Sequence, residues 1–284
     1  MTKLGYYPGC SLEGTSSDYG MSVRRMAEGL GWELQEVDDW NCCGASAAHQ
    51  TNHLLALSLP ARVLALAEEQ GITELLAPCA LCSNRLLTTN KVFRDEPKTA
   101  KEINEIIEMN YKGTVKVLNI IQALQRHAAP EMEKRIRRKL TGLKVACYYG
   151  CVLVRQPDVV EFDDPEQPTS MEKIVTALGA EAVDWPLKTD CCGAGFSMSV
   201  TPAVVDLTHR ILANAKSHGA QVVAVACPMC HSNLDMRQLD VNRRYGKQNL
   251  PIMFLTQLVG LALGMSEKEV GLKKHFVKAT GVVK

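Results

Sequence analysis

The sequence predicts an α/β protein built as two similar modules, each a small, mostly parallel sheet flanked by helices. Three observations carry this. Short apolar runs of strand length alternate with amphipathic segments of helix length, the pattern of parallel strands joined by crossover helices. The second half of the 284 residues repeats the order of the first, as expected for two modules related by a pseudo-twofold axis. Within each half, the same cysteine motifs follow the same strands.

In the first half, residues 3–7 read as a strand ending at Pro8-Gly9-Cys10. A helix is expected from Ser17 to Leu30, with Asp18 in its first turn and Gly31 closing it. Trp32 to Val37 is a second strand, followed by Cys42-Cys43-Gly44. Leu55, Leu59, Val63, Leu66 and Ala67 mark an amphipathic helix that stops at Gly71. Thr73 to Ala77 is a third strand, running into Pro78-Cys79-Ala80-Leu81-Cys82. A polar helical segment, a strand at Val115 to Leu118 and a helix from Asn119 to His127 complete the half.

The second half follows suit. Leu143 to Tyr149 is a strand ending at Gly150-Cys151. A helix at Ser170 to Leu178, a strand at Ala182 to Trp185, Cys191-Cys192-Gly193 and a helix at Pro202 to His218 come next. The apolar strand Val222 to Ala226 then leads into Cys227-Pro228-Met229-Cys230. Pro251 to Leu255 and Thr256 to Leu263 match the closing strand and helix of the first half. The domains are therefore placed at 1–128 and 143–266, with a linker at 129–142 and a tail at 267–284. The basic run Arg135 to Lys139 reads as a solvated linker helix, with attraction of an anionic partner as its functional alternative. The tail has little core-forming pattern and is expected to dock a partner or to fray.

Apolar residues make up 46% and charged residues 22% of the chain, with a net charge of +1. That balance is ordinary for a globular protein and gives no general field for nucleic acid or membrane surfaces. No apolar run approaches the ~20 residues of a membrane span, and the start of the chain lacks the apolar core of a signal peptide. A cytoplasmic location is expected. In that reducing setting the 11 cysteines are read as metal ligands or redox thiols, not disulfides.

Ten of the cysteines form two sets of five: one Cys, then Cys-Cys, then Cys-x-x-Cys. In the first, 31 residues separate Cys10 from Cys42 and 35 separate Cys43 from Cys79; in the second, 39 separate Cys151 from Cys191 and 34 separate Cys192 from Cys227. Every motif falls just after a predicted strand. The carboxyl ends of parallel strands line one sheet edge, so thiols distant in sequence can converge there. Thiolate-rich sites select zinc or iron–sulfur clusters, and both a structural zinc and a cubane [4Fe–4S] cluster take four ligands. Five thiols exceed both counts. An adjacent pair supplying two different irons would suit an opened, non-cubane cluster.

This pattern resembles the CCG (cysteine-rich) domain family, and two such domains in tandem resemble the B subunits of heterodisulfide reductases. The resemblance covers essentially the whole chain. It implies that Cys10, Cys42, Cys43, Cys79 and Cys82 hold one non-cubane [4Fe–4S] cluster, and that Cys151, Cys191, Cys192, Cys227 and Cys230 hold the other. It further implies a disulfide substrate between the clusters, each taking one sulfur as the S–S bond is reduced, or the reverse. Electrons would come from a ferredoxin-like C subunit and a flavin-containing A subunit. No phosphate-binding glycine loop is visible, so no flavin or nicotinamide is expected on this chain. Two other readings stay open. One is an electron-transfer subunit of a quinone-linked or electron-bifurcating complex, without its own substrate. The other is a zinc-stabilised assembly module.

Outside the pattern, Cys147 reads as a core residue of its strand. His49 and His53 stand at helical i, i+4 spacing after the first pair, as zinc-binding pairs do, but read first as a plain helix-surface pair. His49 and His231 are the candidate proton donors or substrate contacts. Gly44, Gly193 and Gly195 are expected to let backbone approach the clusters.

Overall fold

Four short parallel strands form each of two sheets, in a computed structural model that describes residues 2–45 and 48–283. In the first, β1 (Thr2–Tyr6) lies between β2 (Trp32–Glu36) and β3 (Glu74–Leu76), and β3 carries β4 (Lys116–Leu118). In the second, β5 (Lys144–Tyr148) lies between β6 (Glu181–Val183) and β7 (Val222–Val225), and β7 carries β8 (Ile252–Phe254). The orders β2-β1-β3-β4 and β6-β5-β7-β8 are the same topology twice. Strands β7 and β8 are buried along their whole length, as parallel strands covered on both faces require.

The helices start and stop where local chemistry dictates. Ser17–Leu30 ends at Gly31, whose φ of 67° is the left-handed cap that glycine adopts without strain. Asn119 and Gln122 form a capping box on Ile120–His127. Helix Ser17–Leu30 packs against Leu255–Ala262 of the other half, and Ser170–Ala177 packs against Ile120–His127. Each half thus lends its first long helix to the last helix of its counterpart, which is the pseudo-twofold relation in contact terms. At this seam the Ser22 and Thr256 hydroxyls lie 2.7 Å apart, and Tyr19 stacks on Phe254 with ring centroids 4.0 Å apart. One apolar core runs through both sheets.

Two expectations need correction. The segment joining the halves is not one linker helix. It is helical only over Ala129–Arg135, after which the Arg137 and Arg138 N–H groups donate to the Ala262 carbonyl at 2.9 and 3.0 Å. A backbone bonded to the second half cannot continue its own helical ladder. The tail does not fray: Val270, Leu272 and Ala279 are buried, and the Phe276 and Val277 N–H groups donate to Asp235 at 2.7 and 2.9 Å. Widely spaced apolar residues among lysines hid those anchors.

Candidate metal centre

The strand ends deliver the thiols. After β1 the chain turns at Pro8-Gly9 into a five-residue helix, Gly9–Glu13, which carries Cys10. Cys42 and Cys43 follow β2 on a loop. Cys79 caps helix Ala80–Asp95 and Cys82 sits in its first turn; Cys227 and Cys230 do the same for helix Pro228–Met236. The unpaired N–H groups of a helix start favour negative charge, and they contribute at Cys227, which is pulled down; contacts with neighbouring thiols and burial push Cys79, Cys82 and Cys230 up. Cys151 and the Cys191-Cys192 pair come from the turns after β5 and β6.

The expected sets converge. In the first, Cys42 Sγ is 3.7 Å from Cys10 Sγ and Cys43 Sγ is 3.3 Å from Cys82 Sγ. In the second, Cys192 Sγ is 3.6 Å from Cys230 Sγ, and Cys151 bonds Cys191. Cys82 also bonds Cys79, and Cys230 bonds Cys227. Contact between thiols forces them to divide protons unequally. Cys43 is pulled down to about 3, first by hydrogen bonds from Cys42 and then Cys82. Cys191 is pulled down to about 6, first by the Cys151 thiol. Cys42 and Cys151 are pushed up by the same contacts.

Equivalent groups shape both sets. The Gly44 N–H points at Cys42 Sγ at 3.4 Å and the Gly193 N–H at Cys191 Sγ at 3.3 Å, so these two glycines do bring backbone to the thiols. Gly195 does not: it lies in the short turn Ala194–Phe196 with open space around it. Sequence reasoning missed Gly9 and Gly150. Both have φ of +65°, and a Cβ there would stand 2.9 Å from Cys82 Sγ and 3.0 Å from Cys230 Sγ. It also missed the preceding tyrosines: the Tyr7 hydroxyl donates to Asn41 O at 2.8 Å and that of Tyr148 to Asp190 O at 2.5 Å. Each ties its strand end to the residue before a Cys-Cys pair. The repeated Tyr-x-Gly-Cys was the available signal.

The two sets also meet each other. Cys79 and Cys227 share a hydrogen bond that raises the first and lowers the second, after the Cys230 bond, which lowers it further. Above them the Tyr19 hydroxyl lies 3.0 Å from Pro78 O and 3.3 Å from Ala226 O, the residues just before these cysteines. The buried ends of the sets therefore face one another, while Cys10, Cys42 and Cys191 are exposed and Cys151 is half-exposed.

The remaining candidates are scattered. Cys147 is fully buried in β5, and burial pushes its thiol up, as fits a core residue. His49 and His53 do not share a helix face. The extended Asn52 (φ −154°, ψ 131°) separates Ala48–Thr51 from His53–Glu69, and both histidines are exposed. His231 is buried, stacked on Phe254 at 4.3 Å and edge-on to His275 at 4.6 Å. Burial and then the charge of His275 pull it down to about 3, and no cysteine is among the groups that shift it. A cavity of about 420 Å³ lies between the halves beside the second set, lined by Asp18, Met198, Met229, His231, Lys274 and Phe276 among others.

Five convergent thiols per set, with polar N–H groups aimed at sulfur, fit an iron–sulfur donor set. Among the described residues, no helix is long and apolar enough to cross a membrane.

The model of the cysteine-rich domain, CCG, matches the chain twice, over residues 4–86 and 145–235. The 8-methylmenaquinol:fumarate reductase membrane anchor subunit of Wolinella succinogenes is 34% identical over 98% of this chain and 98% of its own length. The B subunit of a ferredoxin/F420H2-dependent CoB-CoM heterodisulfide reductase from Methanosarcina acetivorans is 29% identical over 98% of this chain and 95% of its own. A crystal structure of a hypothetical protein from Helicobacter pylori superposes with a TM-score of 0.79 at 14% identity, covering 98% of this chain. The present chain spans about half of that one, 52%, and the likeness concerns the fold alone.

Proposed function

This chain belongs to the cysteine-rich CCG domain family, and from that premise we propose that it is the iron–sulfur subunit of a multisubunit oxidoreductase that reduces a disulfide, or oxidises two thiols. In this reading the domains 1–128 and 143–266 each contribute one cluster site. Cys10, Cys42, Cys43, Cys79 and Cys82 hold one non-cubane [4Fe–4S] cluster, and Cys151, Cys191, Cys192, Cys227 and Cys230 the other. Its partners are a ferredoxin-like and a flavin-containing subunit. The observation that carries the reading is the contact of the two sets at Cys79 and Cys227. A disulfide takes two electrons and has two sulfur ends, and paired cluster sites facing one another match both. When bound, the clusters supply one-electron transfer and a Lewis-acidic iron for a thiolate. The chain's own part is positional. Tyr19 holds the two Cys-x-x-Cys loops together, and the Gly44 and Gly193 N–H groups donate to thiolate sulfur.

The test is chemical analysis and turnover of anaerobically purified protein. About eight irons and eight sulfides per chain, with reduction of a disulfide by a one-electron dye, are expected. Cys43→Ala and Cys192→Ala should each lose the iron of one set. Full iron content and activity in either variant would remove the five-ligand reading, and one zinc per set in place of iron would remove the redox role.

A second reading has its own support: the 34% likeness to a subunit named for an 8-methylmenaquinol:fumarate reductase, and the largely apolar cavity between the halves. There the chain would pass electrons between a quinone and a partner. Full iron with quinol oxidation, and no disulfide turnover, selects this reading over the first.

A further inference from the structure

We propose that Asp18, His231 and His275 form a separate binding site for one divalent transition-metal ion, with zinc as the ion it fits best. One ligand atom of each residue lies within 4.8 Å of the other two. The three come from different parts of the chain: the first turn of helix Ser17–Leu30, the helix after β7 and the tail. All three side chains are buried, His275 completely.

The hydrogen bonds around the site turn three acceptor atoms towards one another, and of these His231 Nε2 has no donor. His231 Nε2 is buried without a partner, while its ring bonds the Ile252 backbone; that bond therefore belongs to Nδ1 and leaves Nε2 unprotonated. Gln257 Oε1 accepts from the Phe254 N–H at 2.8 Å, which fixes its amide nitrogen towards Val270 O at 3.0 Å and His275 Nε2 at 2.9 Å. A donor N–H facing His275 Nε2 means that this nitrogen also presents a lone pair. Asp18 Oδ2 stands 3.2 Å from it, again as an acceptor. Two imidazole nitrogens and a carboxylate oxygen thus crowd one point, and a cation answers all three.

The donor set suits the ion. Imidazole and carboxylate favour zinc among available divalent metals, and bond lengths of about 2.0–2.2 Å put tetrahedral ligands about 3.3 Å apart. The Asp18–His275 separation already has that value, and the largest separation must close by ~1.5 Å through side-chain rotation. The backbone bond at His231 Nδ1 is the support that ligating histidines ordinarily have. Gln257 would turn from His275 while keeping its bond to Val270. A second carboxylate, Asp235, interacts with both Asp18 and His275; burial pushes it up, against the Val277 and Phe276 N–H groups that donate to it. Asp18 and His231 also line the 420 Å³ cavity, so three protein ligands leave a fourth position facing it. Three ligands with one open position describe a site that can bind a water or a ligand oxygen, not a closed structural zinc.

The test uses the full chain, purified anaerobically from cells grown with zinc and passed over a weak chelating resin. Zinc, iron and sulfide are counted together, so that zinc is separated from cluster metal. About one zinc per chain is expected in the unaltered protein. His275→Gln and Asp18→Asn, which leave all ten cysteines in place, should lower it at least tenfold while iron and sulfide stay constant. Cobalt substitution should add visible d–d bands that the two variants lack. Less than a tenth of a zinc in the unaltered protein, no uptake of cobalt, or zinc retained in both variants would overturn the proposal. Since the iron count is read separately, zinc absent with iron intact rejects this site alone, whereas iron absent rejects the cluster reading alone.

Discussion

Replacing Tyr19 by phenylalanine tests whether the seam between the halves is held at the cysteine loops. The hydroxyl is shared between Pro78 O at 3.0 Å and Ala226 O at 3.3 Å. Both distances exceed the usual 2.7–2.8 Å of an O–H···O bond, so neither bond is at full strength. Removing a buried donor and leaving its acceptors costs about 1–3 kcal/mol, and the length of these bonds puts Tyr19→Phe in the lower half, about 1–2 kcal/mol. For a chain of this size that is a fall of about 2–4 °C in the thermal midpoint. Tyr19→Leu also removes the parallel stack on Phe254, worth about 0.5–1.5 kcal/mol more, so it should fall further. The measurement is thermal unfolding of the iron-loaded protein at one scan rate, with iron counted after desalting. Because the hydroxyl sits over the residues before Cys79 and Cys227, Tyr19→Phe should also release iron faster under a chelator. A midpoint within about 1 °C of the parent, with unchanged iron release, would refute the view that this hydroxyl ties the loops.

Three further outcomes are expected. Gly9→Ala and Gly150→Ala place a Cβ against Cys82 and Cys230 in a left-handed backbone, which should cost about 2–4 kcal/mol and deplete iron from one set each. Gly246→Ala, with φ of +88° but open space, serves as the control that keeps its iron. Lys188→Met strands Glu172, which accepts from Lys188 Nζ at 2.8 Å and from the Tyr149 hydroxyl at 2.5 Å; about 3–5 kcal/mol should be lost in unfolding experiments, and Glu172→Gln added to it should restore a good part. Burial acts to raise the Asp163 carboxyl, but hydrogen bonds from Ser170 and Thr169 prevail and hold it below the usual carboxylate range. A folded value below the unfolded one means stability present above about pH 4 and lost as pH falls through the folded value. Asp163→Asn should therefore flatten the acid limb of stability against pH, and an unchanged limb would count against the assignment.

Most of the architecture was legible in the residues. All eight strands lie within two residues of their expected limits, because short apolar runs bounded by glycine and cysteine leave little choice of register. Helix Ser17–Leu30 matches to the residue, since Gly31 and the acidic first turn are strong signals. The cysteine sets were legible for the same reason: parallel strand ends share an edge. What the sequence did not carry is contact between elements. Nothing local marks Tyr19 as the residue that spans both halves, and nothing in Cys79 or Cys227 says that they touch. His49 and His53 are exposed as a surface pair would be, but spacing alone cannot show the extended Asn52 that breaks their shared helix face. The tail misled, since its anchors are backbone N–H groups received by Asp235 and a single buried His275.

The repeat makes the donors equivalent without making their surroundings so. Cys10 and Cys151, Cys42 and Cys191, Cys82 and Cys230 occupy matching places, each with its glycine and its strand-end tyrosine. One step beyond the second Cys-x-x-Cys, however, stands His231, packed with Phe254, His275 and Asp18. One step beyond the first stands Ser83, whose hydroxyl turns back to Ala80 O at 3.1 Å. The helix that Tyr19 opens in the first half has as its counterpart Ser170–Ala177, where Glu172 is committed to Lys188 and Tyr149 instead. The cavity follows this asymmetry and lies beside the second set. A molecule bound in this cavity therefore meets Ser16 and Asp18 from one half and His231, Asn233 and Arg237 from the other, and can be held in one orientation. A strictly symmetric pair of modules would offer two equal orientations; the substitutions around His231 remove one of them.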